Sequence, residues 1–405
     1  MIVGVGYSEN PDTTSAGIQA AREALSANAR NGLIVPCDLV LMFCTSRHDP
    51  AVLRDAVRSV LGPNVFITGG GAVGAMTGDR FGYAGDQVVL AAFWLEGVGC
   101  SVTSEGGMAH SEEETGVRLG LKLSGVDCKR DTPALLFYDA VDRTHGDVRL
   151  LMATPLLRGV EKGLGFLPRN LVGAGLQGDY TCSPTWQWVG HDLVQHNALA
   201  LTFSRDVRID NVILHGCRPA TGYHTVTKAE DQVILEIDGQ PAIPFFQELL
   251  GSGISPEEYA FFLILGINSG DKWGDFDENR YANRLCLAID RKRDGIVMFE
   301  SDMVPGTRFQ IMHRSLDLEY MKPKIEKVFS DLGNRKPVFA FYIDCAGRAA
   351  GYAGLDLEDA LVLQKTIGDR APFMGIYSGV EIAPVSGVPR ALDWTGVFCL
   401  FSVEA

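Results

Sequence analysis

Asp344-Cys345-Ala346-Gly347-Arg348 places an acid, a thiol and a guanidinium directly after the apolar run Val338-Phe339-Ala340-Phe341-Tyr342-Ile343. Ends of buried strands are where layered α/β folds collect ligand contacts. Arg348 offers a forked donor for a carboxylate, and Glu381, in the turn-bearing stretch Ser378-Gly379-Val380-Glu381, offers an acceptor for an ammonium. Together they suit a zwitterionic amino acid. The alternative is an ion pair between the two that ties two loops together. Cys345 reads as a ligand contact, or as a nucleophile if a histidine lowered its pKa. No nucleophile signature surrounds it, and His145, His215 and His313 lie far off in sequence.

A second candidate is the glycine-rich stretch from Gly69 to Gly85, in which Gly70 and Gly71 follow a strand and Arg80 lies close behind. Glycines after a strand let backbone N–H groups approach an anion or carboxylate. The stretch is neither a P-loop nor a GxGxxG fingerprint. Tight turns and close strand packing are the competing explanation. Recurrence of the glycines at Gly173 to Asp179 favours that structural role, while Arg80 has no counterpart there and keeps functional weight. Trp186 and Trp188 share one strand face, which suits a pocket wall or, more commonly, a core. Asp271, Asp275, Asp277 and Glu278 lack the EF-hand pattern and read as a solvated loop.

The chain that must position these groups has 405 residues, 46% hydrophobic and 21% charged, so two or three packed units are expected. Its net charge of −14 and lack of a basic patch argue against nucleic-acid and anionic-membrane partners. No apolar run reaches the ~20 residues of a membrane span, and the start has no signal-peptide pattern. Nine scattered cysteines without a CxxC pair indicate reduced core thiols, a cytoplasmic location and no structural zinc site.

Three stretches repeat one plan of strand, helix, glycine-bearing strand and further strand. They start at Asp38, Ala134 and Val338, with helices expected over Pro50 to Leu61, Leu150 to Leu164 and Leu355 to Ile367. Their strands are apolar at consecutive positions, so both faces must be covered. The expected fold class is α/β, with layered mixed sheets and helices built from internally repeated strand-helix-strand-strand units. A helix over Thr14 to Asn28, capped by Thr13 or Thr14, is expected near the start, and in the middle the strand Gln232 to Gly239, a helix from Ile243 to Leu250, and strands over Tyr259 to Gly266 and Leu285 to Met298. The domain boundary is placed in the interrupted stretch near Arg218-Pro219, giving regions 1–218 and 219–405.

Several stretches in order carry a family resemblance: Gly69 to Gly74, His215-Gly216-Cys217-Arg218-Pro219, Glu236-Ile237-Asp238-Gly239-Gln240-Pro241-Ala242, Val304-Pro305-Gly306-Thr307, Asp344 to Arg348 and Ser378 to Pro384. The chain resembles a FIST protein, with an N-terminal and a C-terminal FIST region covering nearly all of it. That resemblance implies an intracellular sensor of small molecules such as amino acids, signalling to a separate partner, and no conventional enzyme. A subgroup of the family binds haem, senses nitric oxide and acts on a histidine kinase or a cyclic-di-GMP enzyme. In that case His215, at the end of the apolar Val212-Ile213-Leu214, is the axial-ligand candidate and Arg218 would face a propionate; otherwise His215 is a hydrogen-bonded strand-end histidine. Asp393-Trp394-Thr395 stands where the family tends to show Asn-x-Thr.

Overall fold

The computed structural model describes residues 1–28, 36–251 and 253–404. Within them the three repeats are real and longer than the sequence pattern suggested, because each also owns a preceding edge strand and helix. The first unit runs Ile2–Ser8, helix Thr13–Ser26, Leu39–Cys44, helix Pro50–Leu61, Phe66–Gly71, a hairpin Gly74–Thr77/Phe81–Tyr83, and Val88–Trp94. The second runs Cys100–Gly106, helix Glu112–Gly125, Ala134–Asp139, helix Ala153–Leu164, Leu171–Leu176, hairpin Gln187–Val189/Asp192–Val194, and Asn197–Phe203. The third runs Val207–Leu214, helix Met321–Ser330, Arg335–Cys345, helix Asp359–Ile367, Phe373–Ser378, hairpin Val380–Val385/Val388–Leu392, and Gly396–Glu404.

The hairpins do not stay in their own units. Gly74–Thr77 pairs antiparallel with Phe373–Ser378 of the third unit, Gln187–Val189 with Phe66–Gly71 of the first, and Val380–Val385 with Leu171–Leu176 of the second. Every unit therefore donates a hairpin to one neighbour's sheet and receives one from the other. The three resulting sheets, each six-stranded, share one inner core. Phe43, Phe137 and Phe341, one from each unit, meet there at centroid separations of 5.2 to 6.3 Å. Alternate residues of the same strands, such as Val40 and Met42, pack outward with the unit's own helices. This two-sided burial is why the strands read as unbroken apolar runs.

Local chemistry sets the helix starts and their fit. The Asp12 carboxylate accepts from the Ser15 N–H, so Asp12 is the cap of the first helix and not Thr13 or Thr14. Asp49 accepts from the Ala51 and Val52 N–H groups at the start of Pro50–Leu61. Glu112–Gly125 and Ala153–Leu164 approach closely through glycines: a Cβ on Gly159 would lie 2.0 Å from the Glu113 carbonyl oxygen.

Between Val207–Leu214 and Met321–Ser330 the third unit carries an inserted antiparallel barrel. His224–Glu230, Val233–Ile237, Gly295–Met298, Tyr281–Asp290, Ile264–Asn268 and Arg308–Arg314 pair in that order, and the last pairs back on the first. Ala242–Leu250 is helical, as expected. The strand expected from Tyr259 starts later, at Ile264, because Pro256–Tyr259 forms a 3-10 turn and Phe261 takes a left-handed φ of 63°. Among the described residues no helix is long and apolar enough to cross a membrane.

Candidate functional site

A cavity of about 490 Å³ opens where the second unit, the third unit and the barrel meet. The third unit supplies Cys345, Ala346 and Gly347 at the end of its first parallel strand, and Tyr352 just beyond. It also supplies Ser378–Gly379 and Asp393–Trp394, which are the two ends of its donated hairpin. The second unit adds Gln177, Tyr180 and Cys182 after Leu171–Leu176, and the stretch Val148 to Met152 before its second helix. The barrel adds Gln232, Phe261, Leu285, Leu287 and Phe299. Strand ends from two repeats, together with the barrel, thus border one hollow.

The lining is chiefly apolar and aromatic, with few charges. Tyr180 stacks on Tyr352 at 4.9 Å and 5° between planes, and donates its hydroxyl proton to the Ala346 carbonyl at 2.9 Å. Phe261 meets Phe299 edge-on at 5.7 Å. Arg149, half exposed at the rim, donates to the Ala109 carbonyl and to Glu112. Asp393 is buried; its Oδ2 accepts the Leu285 N–H at 2.9 Å, while burial pushes its carboxyl up to about 6. Burial, with the Glu381 charge next in importance, holds the Cys345 thiol well above its ordinary range. A protonated thiol is a poor nucleophile.

Next to the cavity, Glu300 of the barrel accepts from the Ala153 and Thr154 N–H groups at 2.9 and 2.8 Å, capping a helix whose own N-cap, Met152, has no capping side chain. Burial and the neighbouring Asp393 raise its carboxyl to about 7. The barrel is thereby pinned to the second unit beside the cavity wall.

The residues singled out from sequence are distributed differently from the expectation. Of the expected ligand contacts Cys345 alone lies on the main cavity wall, beside Asp393 and Trp394 of the Asp-Trp-Thr stretch. Arg348 is turned inward: its Nε donates to Asp344 at 2.9 Å, its Nη1 to the His215 carbonyl at 3.0 Å, and its Nη2 to Asp359. With 3% of its side chain exposed, its fork is spent on the chain's own carboxylates and does not face a guest. Glu381 is also buried, accepting from the Ser378 hydroxyl at 3.0 Å and the Thr395 N–H at 3.3 Å, and it makes no ion pair with Arg348. Gly70 and Gly71 let the second unit's hairpin segment lie against Phe66–Gly71, since added Cβ atoms would meet Leu176 and the Trp186 carbonyl, or Thr185. Arg80 pairs with Glu23 and lies 4.9 Å over the Tyr7 ring, away from the cavity.

Trp186 and Trp188 line a smaller pocket of about 190 Å³ with Gly71 and His48; Trp188 is buried and donates to the Pro50 carbonyl, whereas Trp186 is partly exposed. Glu278 is not in a solvated loop. It is buried, accepts from the His215 and Gly216 N–H groups, and pairs with Lys324.

His215 does not fit a haem iron. Its side chain is fully enclosed, its Nδ1 accepts the Cys217 N–H at 2.9 Å, and it lines neither pocket. With Nδ1 so engaged the ring proton sits on Nε2, which leaves no lone pair for a metal. Burial, then Lys324 and Arg348, hold the ring neutral, well below its ordinary pKa. No histidine is among the described residues that line the main cavity.

Tyr180, Tyr352, Phe261 and Phe299 on the wall were missed by sequence reasoning, whereas Asp393 and Trp394 belong to the stretch where the chain departs from the family's Asn-x-Thr. The tyrosines each follow a strand end by a few residues in successive units, which is the one local signal that pointed to them.

A layered α/β protein of three hairpin-exchanging units with a cavity at strand ends is the class defined by this geometry. The chain belongs to the FIST family: residues 38–240 match the FIST N domain and residues 242–384 the FIST C domain. FIST domains are sensory modules of signal transduction. Similarity extends over the whole length to an uncharacterized protein of Mycobacterium tuberculosis, 26% identical over 413 aligned positions spanning 99% of this chain and 100% of that one. An uncharacterized protein of Mycobacterium bovis is 25% identical, with 99% of each chain covered.

Proposed function

We propose that the protein is a sensor whose receptor site is the cavity of about 490 Å³, and that it binds a small cytoplasmic molecule, an amino acid among the candidates. The observation that carries this reading is the convergence of the second unit, the third unit and the inserted barrel on one mainly apolar hollow. Concave apolar sites with a few placed polar groups are the usual form of a small-molecule site. Both ends of the hairpin Val380–Val385/Val388–Leu392 lie on its wall, so a guest touches the joint between the third unit and the sheet that holds its hairpin. A guest that binds one arrangement of that joint better than another shifts the population, and the shift is what a partner reads. A histidine kinase or a cyclic-di-GMP enzyme is the kind of partner that the family resemblance suggests. Cys345 serves as a contact in this reading, because its protonated state does not suit attack on a substrate.

Calorimetric titration with a panel of amino acids tests the reading, using the wild type and Leu287→Trp, which fills the cavity from the barrel side. At least one amino acid is expected to bind the wild type and to lose at least about tenfold in affinity with the variant, the scale of one lost buried contact set. Equal binding by both proteins would remove the ligand from this cavity.

A further inference from the structure

The same cavity says something about the shape and chemistry of its guest. Five aromatic rings line it: Phe261 and Phe299 from the barrel, and Tyr180, Tyr352 and Trp394 from the second and third units. Tyr352 is half exposed and keeps its place by lying flat on Tyr180, so a planar face is already presented at the wall. Arg314 lies 4.9 Å over the Trp394 ring. Flat rings meeting flat or edge-on rings gain attraction beyond area burial, which a puckered saturated ring cannot match.

Backbone conformation supplies an independent observation. Among the described non-glycine residues with left-handed φ, most are small or polar turn formers, but Phe261 at 63° and Trp394 at 53° are bulky aromatics. Both line this cavity, and so does Cys182 at 55°. Bulky side chains rarely adopt that region, and such strain persists where the surrounding structure over-determines it, commonly at ligand sites. Two of the five aromatic residues on the wall are thus held in a strained backbone conformation.

The polar groups on the wall favour a donor. Asp393 is the one carboxylate among the described lining residues, and its Oδ1 receives no hydrogen bond among the described residues. Gln177 and Gln232 add amides, and Arg149 stands at the rim.

We infer that the cavity selects a flat heteroaromatic ring carrying an N–H donor, of the indole or aminopurine kind, over a saturated molecule of equal size. This rests on the receptor reading above and names the chemical class of its ligand. The ring lies along Tyr352 and Trp394, and its N–H donates to Asp393.

Ligand-detected NMR on the full chain tests it with three neutral probes: indole, benzofuran, which replaces the N–H by oxygen, and octahydroindol-2-one, a saturated lactam that keeps a neutral N–H and removes planarity. Indole is expected to bind more tightly than the lactam by about tenfold, the combined scale of two ring contacts. It should also exceed benzofuran several-fold. Tyr352→Leu should narrow the first gap and leave the second, while Asp393→Asn should narrow the second and leave the first. Equal binding of indole and the lactam to the wild type would overturn the ring proposal, as would no binding by any of the three. The receptor reading is decided separately: it stands if whatever binds the wild type is lost in Leu287→Trp, and falls if the variant binds equally.

Discussion

Replacing Arg348 by Ala should unfold the protein far more readily while leaving no specific imprint on ligand recognition. The guanidinium is enclosed between Asp344, of which no side-chain surface is exposed, and Asp359, of which 4% is. It also donates to the His215 carbonyl, and so ties the entry to the barrel to the first parallel strand of the third unit. Removing it strands carboxyl groups in the interior and orphans a carbonyl. Breaking a buried pair from one side costs about 3–5 kcal/mol, because the partner is left without compensation. Burial and the nearby Asp359 already hold Asp344 well above the usual carboxylate range, so part of that cost is relieved by proton uptake. A loss of about 3 kcal/mol is therefore expected in urea unfolding at pH 7, seen as a lower midpoint with unchanged slope. Arg80→Ala is the control: its ion pair is half exposed, and a change below about 1 kcal/mol is expected. Refutation would be an Arg348→Ala protein of wild-type stability with lost ligand affinity, which would return the guanidinium to the binding site.

Stability should also fall as pH rises from about 5 to 7, in part through Glu300, whose folded pKa of about 7 exceeds the unfolded value. The folded state holds that proton where the unfolded state has lost it, so the contribution is full below the unfolded pKa and is lost as pH climbs through the folded one. The group's full share is about 3 kcal/mol, of which about 2 kcal/mol is lost between pH 5 and 7, and Glu300→Gln should flatten the stability profile from urea unfolding over that window by about 2 kcal/mol. Gly159→Ala should cost about 1–3 kcal/mol through its clash with the Glu113 carbonyl, whereas Gly125→Ala, with open space around it, should be close to neutral by the same unfolding assay. Cys345 should react with iodoacetamide at pH 7.5 at least about tenfold more slowly in the folded chain than in urea, read by mass spectrometry of the labelled peptide.

The strand ladder of each unit was legible because two-sided burial writes itself as a run of apolar residues, as in Ala134–Asp139. The hairpin exchange was not, because Gly74–Thr77 carries nothing local that distinguishes the sheet of its own unit from that of the third. Arg348 and Glu381 looked ligand-directed since charge after a buried strand usually faces solvent or a guest. Their partners, Asp359 and Thr395, become neighbours only once the third unit has folded. Cys345 could be placed at the end of its strand, where it lines the cavity, because a strand end is fixed by the strand itself. Phe261 and Phe299 were invisible as cavity-lining residues because they belong to the barrel, whose placement over the second unit depends on long-range contacts such as Glu300 with Ala153.

What the cavity holds is the most direct test of its role as a receptor site. Wild-type protein and Leu287→Trp, purified side by side and weighed by native mass spectrometry, should differ: the wild type is predicted to carry a small molecule that is released on denaturation, and the variant to carry none. The same mass retained by both proteins, or bound by the variant alone, would contradict it.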